Sequence, residues 1–324
     1  MINLYTYQQG YVNTLRAEMK QGKTHLILCA PTGSGKTIMF SFMVSKVVEN
    51  NKSALIFTHR AELLQQAGGS FEQFGINAEY IEAGKFPNLE KQVHIAMVET
   101  FHKRIEDLLP FLLSRDLIII DEAHLQNFNK ILDHIPSEKI VIGATATPIR
   151  KGQERCLSEN YNEIVQEIDT AELIELGKLS RAESYGVEID TKGLKKRGDD
   201  YDTMQYYDDN KTYKGVVWNY EQKARNTKTI LFASNIKSSK QVCAEFVSHG
   251  YNARHVDGKS KDRKDIFEWF DLTPDAILCN CGIATTGFDQ HDILTVILYR
   301  ATTSLALFMQ MCGRGSRLSK GKDH

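Results

Sequence analysis

Short apolar runs punctuate the chain, each closed by polar or glycine-rich residues. In the first half they are Leu26-Ile-Leu-Cys-Ala30, Ala54-Leu-Ile-Phe-Thr58, Val93-His-Ile-Ala-Met-Val98, Leu117-Ile-Ile-Ile-Asp121 and Ile140-Val-Ile-Gly-Ala144. They lack the apolar–polar alternation of a half-buried strand, so they predict strands covered on both faces, as in parallel sheets. Between them the apolar spacing turns helical, for example over Thr37 to Glu49 and Ala61 to Phe74. Strand alternating with helix predicts a doubly wound α/β domain. The pattern pauses after Pro148. Residues 151–228 are more polar and hold Leu194-Lys-Lys-Arg-Gly-Asp-Asp200 and the tyrosine-rich stretch Tyr201 to Tyr213. The basic run there predicts a solvated loop. Strand-like runs resume at Thr229-Ile-Leu-Phe-Ala233, Ala276-Ile-Leu-Cys-Asn280 and Thr295-Val-Ile-Leu-Tyr299, which predicts a second α/β domain. With a linker near residue 180, the expected domains are 1–180 and 181–324.

The length of 324 residues agrees with two domains at about 150 residues each. A formal net charge of −1 excludes a basic coat or histone-like protein, but a local groove on a neutral protein can still be basic. No apolar run approaches the ~18 residues needed to span a bilayer. The start, Met1-Ile-Asn-Leu-Tyr-Thr-Tyr-Gln8, lacks the basic-then-apolar order of a signal peptide. The expectation is a cytoplasmic or nucleoid-associated protein with no membrane partner. Cys29, Cys156, Cys243, Cys279, Cys281 and Cys312 form no CxxC pair, so reduced thiols are expected rather than disulfides or a zinc site.

Residues 30–37 read Ala-Pro-Thr-Gly-Ser-Gly-Lys-Thr, directly after a predicted strand and before a predicted helix. This is the setting of a phosphate-binding loop. Gly33 and Gly35 let the backbone curl so that the amides of Thr32, Ser34 and their neighbours face phosphate oxygens, and the helix adds its positive end. Lys36 supplies a point charge to the β- and γ-phosphates of a nucleoside triphosphate such as ATP, and the Thr37 hydroxyl can ligate Mg²⁺. The general pattern opens with glycine, where this chain has Ala30.

The strand run Leu117 to Asp121 ends in Asp121-Glu122-Ala-His124. Ligands of parallel α/β sheets bind beyond the carboxyl ends of the strands. Asp121 is therefore a candidate Mg²⁺ ligand and Glu122 a candidate base for the attacking water. Gly143-Ala-Thr145-Ala-Thr147-Pro148 follows the next strand, and its hydroxyls are candidates to contact the acidic pair. Near the end stands Gln310-Met-Cys-Gly313-Arg314-Gly-Ser-Arg317. Arginines three apart share a face, and arginine beside a γ-phosphate stabilises its transition state by ~10³-fold or more in rate.

Taken together and in this order, these stretches resemble a superfamily-two helicase core of the DEAH-type branch, built of two tandem RecA-like domains of the P-loop NTPase class. The likeness covers nearly the whole chain. Tyr7-Gln8 resembles the family's adenine-reading element, Ala30 to Thr37 its motif I, Phe57-Thr58-His59-Arg60 its motif Ia, and Met97-Val-Glu-Thr100-Phe101 the segment called Ib or Ic. Asp121 to His124 resembles motif II, and Ala144 to Thr147 motif III. In the second half Leu231-Phe-Ala-Ser234-Asn235 resembles motif IV, His255-Val-Asp257-Gly258 with Arg263 the turn after it, Thr285-Thr286-Gly287-Phe288-Asp289 motif V, and Gln310 to Arg317 motif VI.

The resemblance implies ATP hydrolysis, with Mg²⁺, in a cleft between two domains, coupled to movement along a nucleic acid. It places Lys36, Asp121, Glu122, Gln310, Arg314 and Arg317 among the catalytic residues, and Gln8 with Gly287 and Asp289 at the nucleotide. Thr58, Arg60, Thr100, Ser234 and Thr286 are implied phosphate-backbone contacts, since hydroxyls and amides can hold phosphates without large net charge. Phe101 and Phe288 are candidates for base stacking or, more simply, core packing. The motif V and motif III wording resembles repair, phage and restriction-enzyme DNA motors, so DNA is expected ahead of RNA. An ATP-driven binding switch without unwinding and a small-molecule P-loop kinase are the competing classes. The family pattern continues after motif VI with a further strand and helix, whereas seven residues follow Arg317 here, so accessory domains or subunits are expected.

Overall fold

The computed structural model describes residues 3–59, 69–150, 155–186, 195–197, 200–201, 212–283, 290–319 and 322. The chain divides into two compact units, Met1–Leu173 and Ile174–His324. The first unit is organised around β1 (His25–Cys29), β2 (Ala54–Thr58), β3 (Glu79–Ile81), β4 (Val93–Met97), β5 (Leu117–Asp121), β6 (Ile140–Thr145) and β7 (Glu163–Val165). They form one sheet in the order β3-β4-β2-β5-β6-β1-β7, with every pair parallel. Parallel neighbours demand crossover connections, which the intervening helices supply. These include α2 (Lys36–Glu49) between β1 and β2, and α3 (Val98–Lys103) with α4 (Ile105–Ser114) between β4 and β5, while α1 (Thr6–Lys20) precedes β1.

The central strands are buried almost throughout, as near-continuous aliphatic runs require. Phe57 meets Phe101 edge-on at 4.9 Å between ring centres, and Phe101 is fully buried, so that aromatic belongs to the core. On α1, Tyr11, Val12 and Leu15 are buried, and the Tyr11 hydroxyl donates to the Cys29 carbonyl at 2.7 Å. That bond ties α1 to the last residue of β1, where the glycine-rich loop begins.

The second unit holds α5 (Thr212–Lys223), β8 (Thr229–Ala233), α6 (Ile236–Ser248), β9 (Ala253–Asp257), α7 (Arg263–Leu272), β10 (Ile277–Cys281), β11 (Thr295–Tyr299) and α8 (Leu305–Cys312). Its sheet order is β9-β10-β8-β11, again parallel. Alternate residues of β8 serve opposite faces. Leu231 and Ala233 pack with Val242, Phe246 and Ile277, while Ile230 and Phe232 pack with Val256, Phe270 and Leu278. Both units are thus doubly wound parallel α/β domains.

Three strands of the two parallel sheets fall outside the apolar runs. β3, β7 and β9 lie at sheet edges, and Glu79, Glu163, Arg254 and His255 interrupt them. Most of the expected helix from Ala61 falls outside the described residues. In the basic run, expected as a solvated loop, Lys195 is exposed, but Lys196–Arg197 pairs antiparallel with Asp200–Tyr201 as a short two-stranded hairpin. The cysteines are free thiols, with Cys29, Cys243 and Cys279 buried. Among the described residues no helix is long and apolar enough to cross a membrane.

Candidate active site

Strand order decides what meets at the carboxyl edge of the first sheet. β6 lies between β5 and β1, with Asp121 paired to Ala144 and Cys29 paired to Thr145. The three loops that leave these strands are therefore neighbours. Backbone bonds join them: the Ala30 amide donates to the Thr145 carbonyl and the Ala123 amide to the Ala144 carbonyl, both at 3.0 Å.

The loop from Ala30 uses glycine where its path demands it. Gly33 and Gly35 have φ of 86° and 82°, in the left-handed region that favours glycine. At Gly35 space matters too, since a β-carbon there would come within 2.5 Å of Gln8 Nε2. Lys36 opens α2 and its ammonium donates to the carbonyls of Ala30 and Pro31 at 3.0 and 3.1 Å. The lysine is thereby folded over its own loop. Thr37 follows on the first turn of α2 and is half-buried. Ser34 is buried, and its carbonyl accepts from Gln8 Nε2 at 3.0 Å and from the Tyr7 hydroxyl at 2.9 Å. Gln8 Oε1 in turn accepts from the Tyr5 amide. Burial, with the neighbouring Tyr5, pushes the Tyr7 phenol up to about 12, which keeps it a donor to the loop.

Beyond β5 the chain reverses in a tight turn. Glu122 has φ 55°, a rare conformation for a residue with a side chain, and the Leu125 amide closes on the Glu122 carbonyl at 2.9 Å. The Glu122 amide donates to Asp121 Oδ1 at 3.0 Å. Burial and then the adjacent Glu122 carboxylate push the Asp121 carboxyl up to about 7, against the opposing pull of Lys36 and that amide. A divalent cation would relieve this crowding of negative charge. The donors suit Mg²⁺, which takes one or two carboxylates and completes its shell with hydroxyl, water and phosphate oxygens. Asp121 and Thr37 are the residues that would hold it. Among the described residues no cluster of three or more His, Cys, Asp and Glu offers a self-sufficient metal cage.

His124 links the acidic turn to the loop after β6. Thr145 Oγ1 lies 2.9 Å from His124 Nδ1, 3.2 Å from the Thr147 carbonyl and 3.1 Å from the Thr147 amide. With its single proton spent on the Thr147 carbonyl, the Thr145 hydroxyl accepts from His124 Nδ1–H. The same N–H faces Glu122 Oε2 at 3.4 Å. Behind the turn, Gly143 is crowded: a β-carbon there would sit 2.7 Å from Ala123 Cβ and 2.8 Å from Tyr161 Cζ and Oη. Tyr161 is a buried packing residue that sequence reasoning missed. The glycine inside an aliphatic strand was its only signal.

The structure distributes the remaining candidates as follows. Thr58 ends β2 and is buried, and Thr100 lies half-buried on α3. Ser234 follows β8 in the second unit, half-buried. Gln310 lies on α8, and Arg314 and Arg317 follow it. Arg314 is buried, and burial pulls the Arg317 guanidinium below its ordinary range. Their loop is held from two sides. The Ser180 amide donates to the Ser316 carbonyl at 2.8 Å, while Lys322 Nζ donates to the carbonyls of Gly315 and Arg317 at 3.0 and 2.7 Å. Neither Ser180 nor Lys322 stands out in the sequence. Arg60, Thr286, Gly287, Phe288 and Asp289 lie outside the described residues.

Comparison with known proteins adds an independent line. Residues 1–150 match the family described as type III restriction enzyme, res subunit, and residues 211–319 match the helicase conserved C-terminal domain. A Saccharomyces cerevisiae protein provisionally named the ATP-dependent helicase IRC3 is 31% identical over 349 residues, covering 99% of this chain and 50% of that protein. The chain thus spans about half the length of this relative. A fragment provisionally assigned as the HsdR subunit of a type I restriction enzyme from Vibrio vulnificus superposes with a TM-score of 0.76 at 22% identity, over 97% of this chain and 61% of that one. The ATP-dependent type ISP restriction-modification enzyme LlaBIII, bound to DNA, superposes with a TM-score of 0.70 at 17% identity, over 100% of this chain and 27% of that one. At such identities the likeness is one of fold, two RecA-like domains in tandem.

Proposed function

Because the chain holds a superfamily-two helicase core, we propose that it is an ATP-dependent helicase or translocase that acts on DNA and hydrolyses ATP to ADP and phosphate. The observation that carries this is the meeting of the glycine loop, the Asp121–Glu122 turn and the Thr145 loop at one edge of one sheet. A nucleoside triphosphate set along the α2 N-terminus meets curled backbone amides and the Lys36 ammonium. Asp121 and Thr37 would hold Mg²⁺, which would supply neutralisation of phosphate charge. Glu122 takes the proton of the attacking water, with His124 steadying its carboxylate. Gln310, Arg314 and Arg317 of the second unit are assigned to the charge that builds on the transferring phosphoryl group. Thr58, Arg60, Thr100, Ser234 and Thr286 are assigned to the strand's phosphates.

DNA is favoured because the matched res-subunit family and the DNA-bound LlaBIII structure both belong to restriction enzymes. The test is ATP hydrolysis without nucleic acid, then with single-stranded DNA, duplex DNA or RNA at one fixed salt, since phosphate binding depends steeply on salt. Stimulation by DNA supports the proposal, and stimulation by RNA alone moves it to an RNA helicase. Hydrolysis stimulated by DNA without strand displacement or translocation makes it an ATP-driven binding switch. Glu122→Gln is expected to keep ATP binding and lose about 10²-fold or more in kcat. Normal turnover in that variant removes Glu122 from the role of base.

A further inference from the structure

Arg150, two residues beyond Pro148, spends its whole guanidinium on the acidic turn and its surroundings. Nε donates to the His124 carbonyl at 3.0 Å, and Nη2 donates to the carbonyls of Ala123 at 3.0 Å and Leu125 at 3.3 Å. Nη1 donates to Asn129 Oδ1 at 3.0 Å and to the Arg155 carbonyl at 3.1 Å. Those five bonds match the five N–H donors of the side chain. Asn129 is itself fixed by a donation from Asn160 at 2.9 Å and by its own donation to Gln126 at 2.8 Å. The anchor is therefore built, not incidental.

The three carbonyls on the fork are consecutive, and they begin immediately after Glu122. A left-handed residue with a side chain is costly unless its surroundings hold it. Three carbonyls turned toward one point also repel each other unless a cation gathers them. A planar fork can meet all three, whereas a lysine ammonium is a point charge with three donors. We propose that Arg150 is a positioning residue for ATP hydrolysis: it clamps the backbone of the Asp121–Glu122 turn and so fixes the carboxylate of Glu122. Arg150 acts through the turn, its donors being bonded to four backbone carbonyls and to Asn129. It also joins the segment after β6 to the turn after β5, beside the His124–Thr145 bond. Displacement of either segment is thereby passed to Glu122.

The proposal rests on the ATPase reading above for its kinetic consequence but not for its structural one, so kinetic and structural measurements are both made on the full chain. Arg150→Gln and Arg150→Lys are compared with the unaltered protein for steady-state ATP hydrolysis, for stoichiometry and affinity with a fluorescent ATP analogue, and for amide exchange over residues 117–128. In Arg150→Gln, kcat falls by about 10²-fold while ATP affinity changes by less than about 3-fold at full binding stoichiometry. Arg150→Lys recovers only part of that loss. Methylguanidinium ion in solution restores turnover to Arg150→Ala and not to Glu122→Gln. In Arg150→Gln the amides of Ala123 and Leu125 exchange faster, while β8 in the other unit keeps its protection. Turnover lost in step with binding stoichiometry points to simple misfolding and overturns the proposal, as does unaltered kcat. If the unaltered chain hydrolyses no ATP, the ATPase reading fails, and amide exchange alone decides the clamp: unchanged exchange at the turn overturns it.

Discussion

Replacing Gly143 by alanine adds one methyl group behind the acidic turn. Built on the native backbone, the new carbon would lie 2.7 Å from Ala123 Cβ and 2.8 Å from the Tyr161 ring carbon and hydroxyl. Apolar carbons sit best at ~3.5–4.0 Å, so each contact is short by about 1 Å. Neither neighbour can yield cheaply. Ala123 carries its methyl on the backbone of the turn itself, whose amide is bonded to Ala144, and Tyr161 is packed in the core of the unit. β6 is paired on both sides, to β5 and to β1, so it cannot retreat either. The strain is expected to destabilise the first unit by about 1–3 kcal/mol, the range for overpacking. Part of it moves residue 123, one residue from Glu122. A misplacement near 1 Å costs about 10²-fold in rate, so kcat for ATP falls far more than ATP affinity does. Urea denaturation and steady-state hydrolysis on the same preparation measure both. Ala123→Gly removes the shorter contact, so the double variant Ala123→Gly with Gly143→Ala recovers part of both losses, and the cycle gives their coupling. If Gly143→Ala keeps its denaturation midpoint and kcat, the sheet does not set the position of the turn and this reasoning fails.

Two further outcomes are expected. The Tyr161 hydroxyl is buried with no hydrogen-bond partner among the described residues, and burial raises its pKa far above the ordinary value, so Tyr161→Phe raises unfolding free energy by about 1 kcal/mol; a loss of stability in denaturation shows that the hydroxyl is satisfied and refutes it. Burial, reinforced by the charge of Arg317 and opposed by Asp292, pulls the Lys322 amine down to about 8. From there to the ordinary ~10.4 the unfolded chain binds a proton that the folded chain lacks, so stability rises with pH in that window. Thermal unfolding of the unaltered protein minus that of Lys322→Met therefore grows as pH climbs from 8 to 10, and a difference that shrinks refutes the assignment.

What could be read in the sequence follows from how locally each feature is encoded. The glycine loop is specified by its own backbone: left-handed Gly33 and Gly35 between a strand and a helix leave few alternatives, so eight residues carry their own context. β2, β5 and β6 were legible because strands covered on both faces are buried nearly throughout and so read as near-continuous apolar runs. β3, β7 and β9 lie at sheet edges and are interrupted by charged or polar residues, so they carried no apolar run to find, whereas the edge strand β11 keeps the run Thr295–Tyr299 and was found. Phe101 shows the limit of residue type alone, since an aromatic beside a candidate strand contact is equally a core residue, and its packing on Phe57 decides for the core.

The groups that orient the chemistry are harder to see because they arrive from elsewhere in the chain. Tyr161 comes from beyond the next connection to sit under Gly143, and Ser180 holds a carbonyl of Ser316. Arg150 lies 28 positions from Glu122, at a spacing that no helical or strand period explains. Adjacent acidic residues also look equivalent as letters, yet the fold treats them differently. Asp121 sits at the end of a buried strand, where desolvation raises its carboxyl, while the left-handed turn points Glu122 toward His124. The proposed division of labour between metal ligand and base thus depends on the turn, and the turn is bonded to residues outside the motif. A chain with the same Asp-Glu-Ala-His but no fork to gather the following carbonyls would keep the candidate groups and lose their placement.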